Sequence, residues 1–449
     1  MSRFVFEAIL SMFALMYTLV SLHACAVVPY APAQIPVTGV PAAPGENRAI
    51  VNILQSRPDI SLPLQQAVYI YSSINPNALI NVHTVAGASD YRIALRTRLL
   101  AGGRVDVFHI FSGQEARELS AHLEDLSSLA WVSGAVESLA EPVSFDGGVF
   151  GIPYSLEAHG LIANRNIFEV AGIPLMDVVD FESLEAAMYK LSDMISSGEI
   201  TGQFPALRNV TDLPIQDRAY LGRVASGILL TGEFDNTAQA AVANNVNLPH
   251  GRSAEQFFHL MRRHSPAGDW TQRDGLSYLY QLEDFAAGHT AMLLSDMEGM
   301  LNILEMNPEL EGRIELMPIP LPGVGRGGIH TGTPLWWAVN ADSSDAAKQS
   351  AKDFLTWLYT SEQGSAIVAA RFGALSAFPE TAKETGLSIH RQMLFLSAAG
   401  HTAPQVWREA PAEWPATFTE GLREWHTGQR PWEEMLIDLR ELWAFRNIV

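Results

Sequence analysis

The segment AIVNILQSRPDISLPLQQAVYIYSSINPNALINVHTVAGASDYRIALRTRLLAGGRVDVFHIF, residues 49–111, indicates the fold class of the chain. Three short apolar runs in it are typical of buried strands: Ala49–Leu54, Leu79–Val85 and Val105–Phe111. Between these runs, Leu62–Ile74 and Asp90–Ala101 have the residue pattern of helices, and Gly102-Gly103 ends the second one. Strands that alternate with helices over so short a distance predict a mostly parallel sheet flanked by helices, so the chain belongs to the α/β class.

The same alternation continues toward the carboxyl terminus. Phe150–Asn164 is apolar and predicts one long extended segment. Leu184, Met188, Leu191 and Ile195 are spaced by four, three and four residues, which predicts an amphipathic helix that ends near Gly198. Further strands are predicted at Ala291–Leu294, Ile314–Met317 and Leu335–Val339.

The length, charge and cysteine content of the chain exclude some classes of partner and of site. The chain has 449 residues, so two or more domains are expected at about 150 residues each. Its 29 basic and 49 acidic residues give a formal net charge of −20, and the one notable basic cluster is Arg262-Arg263. Because nucleic acid binding requires a basic face, nucleic acid is a poor partner. A single cysteine, Cys25, excludes an intrachain disulfide and a cysteine-based zinc site.

The first residues have the features of an export signal. Ala8–Leu22 is an apolar run of secretory length, too short for the roughly 20 residues that span a bilayer. It ends in Leu22-His23-Ala24-Cys25, which resembles a bacterial lipobox. We therefore expect a signal peptide at 1–24, a lipid on Cys25 and a proline-rich tether at 25–47. The alternative is a signal anchor in which the cysteine is incidental.

Several short blocks in the remaining chain carry a family resemblance. They are YRIAL (91–95), LLAGG (99–103), VDVF (105–108), LEDL (123–126), FGIP (150–153), LIANRNIF (161–168), AGIP (171–174), DFAAGHTAM (284–292) and FLTWLYTSEQG (354–364). In this order they resemble the bacterial extracellular solute-binding proteins of family 1, the maltose-binding-protein-like receptors of ABC importers. One departure is Glu298, which stands where many sugar-binding members have an aromatic residue.

The resemblance implies a two-lobed, periplasmic-binding-protein-like fold. Each lobe would be a mostly parallel sheet flanked by helices, and ligand would lie in the cleft between them. Lobe 1 would comprise 48–157 plus 333–390, and lobe 2 would comprise 158–332 plus 391–449. The hinge crossings would be Glu157–Asn164 and Thr333–Val339, which are both extended and apolar.

The resemblance also implies a function. The chain would be a surface-anchored receptor that captures a carbohydrate, most often a small oligosaccharide, and delivers it to the transmembrane subunits of an ABC permease. It would act as a monomer, without a cofactor, on the extracellular face of the bacterial cytoplasmic membrane. Two alternatives remain open: a sensor subunit for a membrane histidine kinase, and a secreted hydrolase that acts on saccharides.

Two acidic residues are candidate ligand contacts. Glu157 lies in the apolar segment Leu156-Glu157-Ala158, where a carboxylate is unfavourable unless it is paired or faces a cleft. An ionised carboxylate can accept hydrogen bonds from two sugar hydroxyls, as the family position suggests. The alternative for Glu157 is a structural ion pair with an arginine. Asp106 is a similar candidate, with the alternative that it caps the following helix.

Aromatic side chains form a second group of candidates, because their faces suit the apolar side of a pyranose ring. Trp336 and Trp337 are adjacent on an extended segment and therefore face opposite ways, so one is expected in the core and the other in the cleft. Register with the family favours Trp336 for the cleft. Further candidates are Trp270, Tyr154 and Trp414, with core packing as the alternative for each.

Polar loops at strand ends complete the candidate set. Ligands bind at the carboxyl ends of strands in open α/β sheets. The loops predicted there contain Gln55-Ser56, Gly87-Ala88 and Ser112-Gly113-Gln114. Glu298 is included because of its family position. Ordinary turn chemistry is the alternative for each loop.

Motifs of enzymes are scarce in the sequence. There is no H-E-x-x-H, no G-x-x-x-x-G-K and no G-x-S-x-G. Gly323–Gly328 satisfies G-x-G-x-x-G but follows a proline-rich stretch and precedes an extended run, so a loop is expected rather than a dinucleotide site. The histidines lack the spacing of metal ligands, and no metal is expected. A glycosidase requires only two carboxylates at a fixed separation, which leaves the hydrolase alternative open.

Overall fold

The computed structural model describes residues 48–102, 104–215, 217–266, 277–325, 327–372, 375–380 and 387–446. The apolar run, Cys25 and the proline-rich tether lie outside these ranges, and so does Trp270. The signal peptide, the lipid anchor and a ligand contact by Trp270 therefore stay predictions. In the part of the chain that is described, no helix combines the length and the apolar character needed to cross a membrane.

Strands and helices alternate along the described chain. The strands are β1 (Ala49–Gln55), β2 (Ala78–Thr84), β3 (Val107–Ile110), β4 (Ser144–Phe145), β5 (Gly148–Val149), β6 (Ile152–Pro153), β7 (Glu157–Asn164), β8 (Asn209–Asp212), β9 (Thr290–Asp296), β10 (Ile314–Met317), β11 (Ile329–Gly332), β12 (Trp336–Val339) and β13 (Thr402–Pro404). The helices are α1 (Ser61–Ile74), α2 (Ala88–Leu100), α3 (Gly113–Glu118), α4 (Glu137–Ala140), α5 (Arg165–Val170), α6 (Phe181–Ser197), α7 (Arg218–Leu229), α8 (Thr237–Val242), α9 (Gly251–Arg263), α10 (Leu279–Ala286), α11 (Met297–Met306), α12 (Asp345–Thr360), α13 (Glu362–Arg371), α14 (Ser388–Ala398), α15 (Trp414–His426) and α16 (Trp432–Phe445).

The first sheet contains the predicted strands of residues 49–111. Its strand order is β2-β1-β3-β12-β6, in which β1 is parallel to β2 and β3, and β12 is antiparallel to β3 and β6. Leu54, Phe108 and Ile110 are buried in its core together with Tyr91 of α2. The hydroxyl of Tyr91 accepts a hydrogen bond from the His109 amide at 2.6 Å and so ties the helix to the sheet. The predicted order of strands and helices in this segment is confirmed.

The second sheet is built around β7, whose eight residues are all buried. Its order is β13-β11-β7-β9-β8, and β10 also pairs with β7. β7 is antiparallel to β9, β10 and β11, whereas β8 is parallel to β9. An extensive apolar core covers this sheet and includes residues of α6, α7, α9, α15 and α16. Helices cover this sheet, and the polar residues Glu157, His159 and Asn164 of β7 are buried together with its apolar ones.

Two linking segments join the sheets, and they correct the predicted crossings. Phe150–Asn164 is not one extended segment: β6 belongs to the first sheet, β7 belongs to the second, and residues 154–156 link them. In the same way, residues 333–335 link β11 to β12. Pro153 has no N–H to continue the β6 ladder, and the Tyr154 amide instead donates to the Leu335 carbonyl at 3.0 Å. The links are therefore shorter than Glu157–Asn164 and Thr333–Val339.

Candidate functional site

A pocket of about 380 Å³ lies where the carboxyl ends of strands from the two sheets meet beside the linking segments. We call it the cleft pocket. Arg57 and Asp59 follow β1 of the first sheet, whereas Glu298 and Asn302 lie on α11, which follows β9 of the second. The remaining lining residues come from the links and from nearby helices: Tyr154, Ser155, Leu156, Glu157, Met297, Leu301, Glu305, Pro334, Arg371, Phe372 and Leu375.

Glu157 begins β7 and lines the cleft pocket while it is paired with an arginine. Its side chain is about one-tenth exposed, and its carboxylate pairs with Arg408, which lies just after β13. Arg408 also donates to the Pro334 carbonyl at 3.2 Å and so joins this ion pair to a link. Burial opposes ionisation, but the positive charge of Arg408 outweighs it and holds the pKa of the Glu157 carboxyl well below its usual range. The structure thus contains the ion pair that we considered as the alternative, with the carboxylate still facing the pocket.

A second charged group borders the pocket on the side of the second sheet. Asp296, the last residue of β9, accepts hydrogen bonds from the Gly299 amide at 2.8 Å and the Tyr220 hydroxyl at 3.1 Å. Arg223 of α7 contacts Asp296 at 2.9 Å and reaches toward Glu298 at 3.5 Å. Burial opposes the charge of Arg223, but the surrounding carboxylates raise the pKa of its guanidinium and keep it ionised. Burial raises the pKa of the Glu298 carboxyl above its usual value.

His159 lies between these two ion pairs. In the sheet it is opposite Asp296 of β9 and opposite His330 of β11. Glu157, His159 and Asp296 could each offer one ligand atom to a cation, and these atoms lie within 4.8 Å of one another. However, Arg408 and Arg223 already neutralise the two carboxylates, and a cation would lie beside both guanidinium groups. The charge balance therefore disfavours a metal at this position.

Some buried polar atoms lack a hydrogen-bond partner in the protein. Among the described residues they are spread over both lobes, and the Tyr154 hydroxyl is the one that belongs to a residue lining the cleft pocket. Nearly all buried polar groups in proteins have a partner in the protein, in water or in a ligand. The Tyr154 hydroxyl is therefore a candidate hydrogen-bonding group for a polar ligand.

The pocket brings together three residues that the sequence analysis singled out: Tyr154, Glu157 and Glu298. Arg57, which also lines the pocket, was not predicted from the sequence. Neither were Arg223 and Arg408, which pair with carboxylates beside it. Arg57 directly follows the predicted Gln55-Ser56 loop, so its position after a strand was a usable signal. Arg223 and Arg408 lie in segments without a recognisable family block, and no local pattern marks them.

Asp106 is a correction to the predicted site. It precedes β3 and therefore lies at the edge of the first sheet opposite to the strand ends that form the pocket. Its carboxylate accepts hydrogen bonds from the Asn52 amide at 2.7 Å, the Asn52 side chain at 3.0 Å and the Ser343 hydroxyl at 2.6 Å. Asp106 thus joins β1 to the segment between β12 and α12, and its role is structural.

The described tryptophans among the candidates are core residues. Trp336 and Trp337 are both buried, because both faces of the first sheet are covered. The Trp336 Nε1 donates to the Leu139 carbonyl at 2.7 Å, and the Trp337 Nε1 donates to the Tyr359 hydroxyl at 2.9 Å. Trp414 is fully buried and packs edge-on against Trp443. None of the three lines the cleft pocket.

The polar loops of the first sheet lie at the expected edge, but their hydrogen-bonding groups have protein partners. The Ser112 hydroxyl accepts from the Glu115 amide at 3.1 Å, as an N-cap of α3. The Gln114 side chain donates to Glu118 at 3.2 Å. Gln55 donates to Thr84, Ser56 bonds to His109, and Gly87 precedes α2 with a φ of 84°. These contacts are ordinary turn and cap chemistry.

With this geometry established, the family of the chain follows from sequence comparison. A family model described as bacterial extracellular solute-binding protein matches residues 94–387. That match covers more than half of the chain. This chain is a bacterial extracellular solute-binding protein. The resemblance stated from the short sequence blocks is confirmed.

Solved structures show the same two-lobed fold. The solute-binding protein RafE, solved in complex with raffinose, is 18% identical, with 88% of this chain and 98% of RafE covered and a TM-score of 0.65. A binding protein named MsmE from Bacillus subtilis is 15% identical, with 90% and 99% covered and a TM-score of 0.70. A chitin oligosaccharide binding protein is 15% identical, with 90% and 100% covered and a TM-score of 0.68. No curated protein matches the chain in sequence.

Proposed function

We propose that this solute-binding protein captures a carbohydrate, a small oligosaccharide, in the cleft pocket and delivers it unchanged to the permease of an ABC importer. The observation that carries the proposal is the pocket itself, which is lined by charged side chains of both lobes, such as Arg57 and Glu298, and by the Tyr154 hydroxyl, which has no hydrogen-bond partner in the protein. Carboxylates accept and guanidinium groups donate several hydrogen bonds each, which suits neighbouring hydroxyls of a sugar. Solved structures of similar fold that contain raffinose and stachyose support this ligand class.

The balance of charge in the pocket supports a neutral ligand. Glu157 and Asp296 are each paired with an arginine, and Asp59 is paired with Arg57 at 2.6 Å. An ionic ligand would have to compete with these internal partners, whereas hydroxyl groups can be added to ion pairs that are already satisfied in charge. Tyr154 adds a ring beside Arg57, whose guanidinium lies 5.7 Å from the ring centroid.

Capture would proceed by closure of the two lobes. We infer that lobe 1 comprises 48–157 plus 333–390 and lobe 2 comprises 158–332 plus 391–449, with the short links as the hinge. A ligand held between Arg57 of one lobe and Glu298 of the other contacts both only when the lobes are close, so binding favours the closed population. The closed protein would then dock on the permease as a monomer, tethered by a lipid on Cys25.

A thermal-shift screen tests this function. The panel contains raffinose, stachyose and chitin oligosaccharides, with amino acids and dipeptides as non-sugar controls. A ligand at 100 times its dissociation constant stabilises a protein by about 2.7 kcal/mol, which gives a clear rise in melting temperature. We expect at least one carbohydrate to raise the melting temperature and to be recovered unchanged afterwards. A shift with only the non-sugar controls would contradict the proposed ligand class, and recovery of hydrolysed sugar would contradict simple binding.

A further inference from the structure

A carboxylate of the second lobe contacts the first lobe outside the links. Glu409 ends the short turn Val406–Glu409, which follows β13 of the second sheet. Its Oε1 accepts a hydrogen bond from the Gly113 amide at 2.8 Å, and its Oε2 accepts one from the Gln114 amide at 3.1 Å. Both amides lie just after β3 of the first sheet, and Glu409 is only 1% exposed. The two oxygens of one side chain therefore bridge the lobes.

Each half of this contact is held in place by an arginine of its own lobe. In the first lobe, Arg117 donates to the Gly113 carbonyl at 3.0 Å and to the Pro142 carbonyl at 2.9 Å. In the second lobe, Arg446 donates to the Glu409 carbonyl and to the Ala240 carbonyl, the latter at 2.8 Å. The loop that donates and the turn that accepts are thus each held by hydrogen bonds within their own lobe, which lowers the entropy lost when the contact forms.

Gly113 packs closely against Pro142 within the first lobe. A Cβ atom at Gly113 would lie 2.5 Å from the Pro142 carbonyl oxygen, so only glycine fits. Helix α8 of the second lobe also packs against α3 and against residues 141–143 of the first lobe. Glu409 is therefore part of a continuous interface between the lobes rather than an isolated surface contact.

We propose that Glu409 acts as a clamp that stabilises the closed arrangement of the two lobes and shifts the open–closed population toward it. The amides of Gly113 and Gln114 lie at the carboxyl edge of the first sheet, where ligand contacts were expected from the sequence. Glu409 occupies both of these donors with its own carboxyl group. The clamp belongs to the protein alone, whatever solute it binds, and therefore goes beyond the proposed function.

Distances between spin labels across the interface test the clamp. Leu100 on α2 and Val242 on α8 are exposed and lie on the two walls of one groove between the lobes. The full chain carrying Cys25→Ser, Leu100→Cys and Val242→Cys is labelled at both new cysteines, and the interlabel distance is measured by pulsed electron paramagnetic resonance without any sugar. The parent should populate a short interlabel distance that corresponds to the closed arrangement.

Glu409→Ala should move the distribution to longer and more widely spread distances, because the Gly113 and Gln114 amides then lose their acceptor. Glu409→Asp keeps the charge but is one methylene shorter and reaches the two amides less well, so it should give a smaller shift in the same direction and serves if the alanine variant does not fold. The matched control is Glu413→Ala, an exposed residue four positions further along. A lower melting temperature with an unchanged distance distribution would overturn the clamp and leave Glu409 a structural residue only. Because no ligand is used, this outcome is separate from any failure of the carbohydrate screen.

Discussion

Glu157 and Glu298 face the same pocket, but the pKa values of their carboxyl groups are shifted in opposite directions because their nearest charged neighbours differ. Glu157 has the charge of Arg408 directly against it, and its pKa is lowered. Glu298 is 3.5 Å from Arg223, which is itself engaged more closely by Asp296, and burial raises the pKa of Glu298. A carboxylate that is already paired keeps the pocket polar without carrying net charge, which suits a neutral ligand.

Removal of Arg408 should be strongly destabilising. Arg408→Met leaves the Glu157 carboxylate buried without its counter-charge, and breaking a buried ion pair in this way costs about 3 kcal/mol or more. We expect the free energy of unfolding, measured by denaturant titration at neutral pH, to fall by that amount. The penalty should shrink as the pH falls, because the buried, unpaired Glu157 of the variant takes up a proton more readily than the ion-paired carboxylate of the native protein.

The control for this experiment is Arg252→Met. Arg252 contacts Glu433 at 3.6 Å, but both side chains are exposed, and such surface pairs contribute about 0–1 kcal/mol. If the two variants lose equal stability, Glu157 is not the buried, charge-dependent group described above.

Closure at Glu409 should depend on pH. Burial raises the pKa of the Glu409 carboxyl to about 7 in the closed structure, although the two amides and the charges of Arg446 and Arg117 favour its ionised form. In an open form with Glu409 hydrated, the pKa would return to its ordinary value of about 4.3. Closing therefore takes up a proton between these values, so the closed population should grow as the pH falls from about 8 to about 6. The same spin-label pair measures this change, and Glu409→Gln should remove it. An equal change in the glutamine variant would assign the pH dependence to another group.

For strands and helices, the sequence predicts their order along a short stretch of chain better than it predicts which sheet each strand joins. The strands and helices from β1 to β3 follow from apolar spacing and glycine stops within short windows, and the structure has them in that order. The break between β6 and β7 was not predictable in this way, because residues 150–164 are apolar on both sides of it. Which sheet each half joins is decided by distant strands. The same holds for Arg223 and Arg408, whose ion pairs beside the pocket depend on how α7 and the segment after β13 pack.

Gly160 in the middle of β7 gives a test of the second sheet. A Cβ at this position would lie 2.5 Å from the Met317 carbonyl oxygen of β10. Gly160→Ala should therefore force the two strands apart and lower the free energy of unfolding by about 1–3 kcal/mol. Gly134→Ala is the matched control, because no atom lies within 4 Å of a Cβ there and its φ is not positive. A neutral Gly160→Ala would contradict the pairing of β7 with β10.

In the whole molecule, the lobes are connected by the two links and by the contact of Glu409. The links carry Tyr154 and lead into Glu157, so the hinge and the cleft pocket share residues. A third connection is made by Glu409, which joins the lobes directly. The pocket between Arg57 and Glu298 is the space that a solute can fill.

A carbohydrate that binds between Arg57 and Glu298 should lose affinity when Arg57 is removed. Calorimetric titration measures its dissociation constant for the native chain and for the Arg57→Met variant. The titrant is the sugar that gives the largest thermal shift, and Arg252→Met is the control. We predict one sugar bound per chain, an unchanged dissociation constant in the control, and a dissociation constant at least about tenfold higher in Arg57→Met, equivalent to about 1.4 kcal/mol. The same dissociation constant in Arg57→Met as in the native chain would show that the sugar does not bind between Arg57 and Glu298.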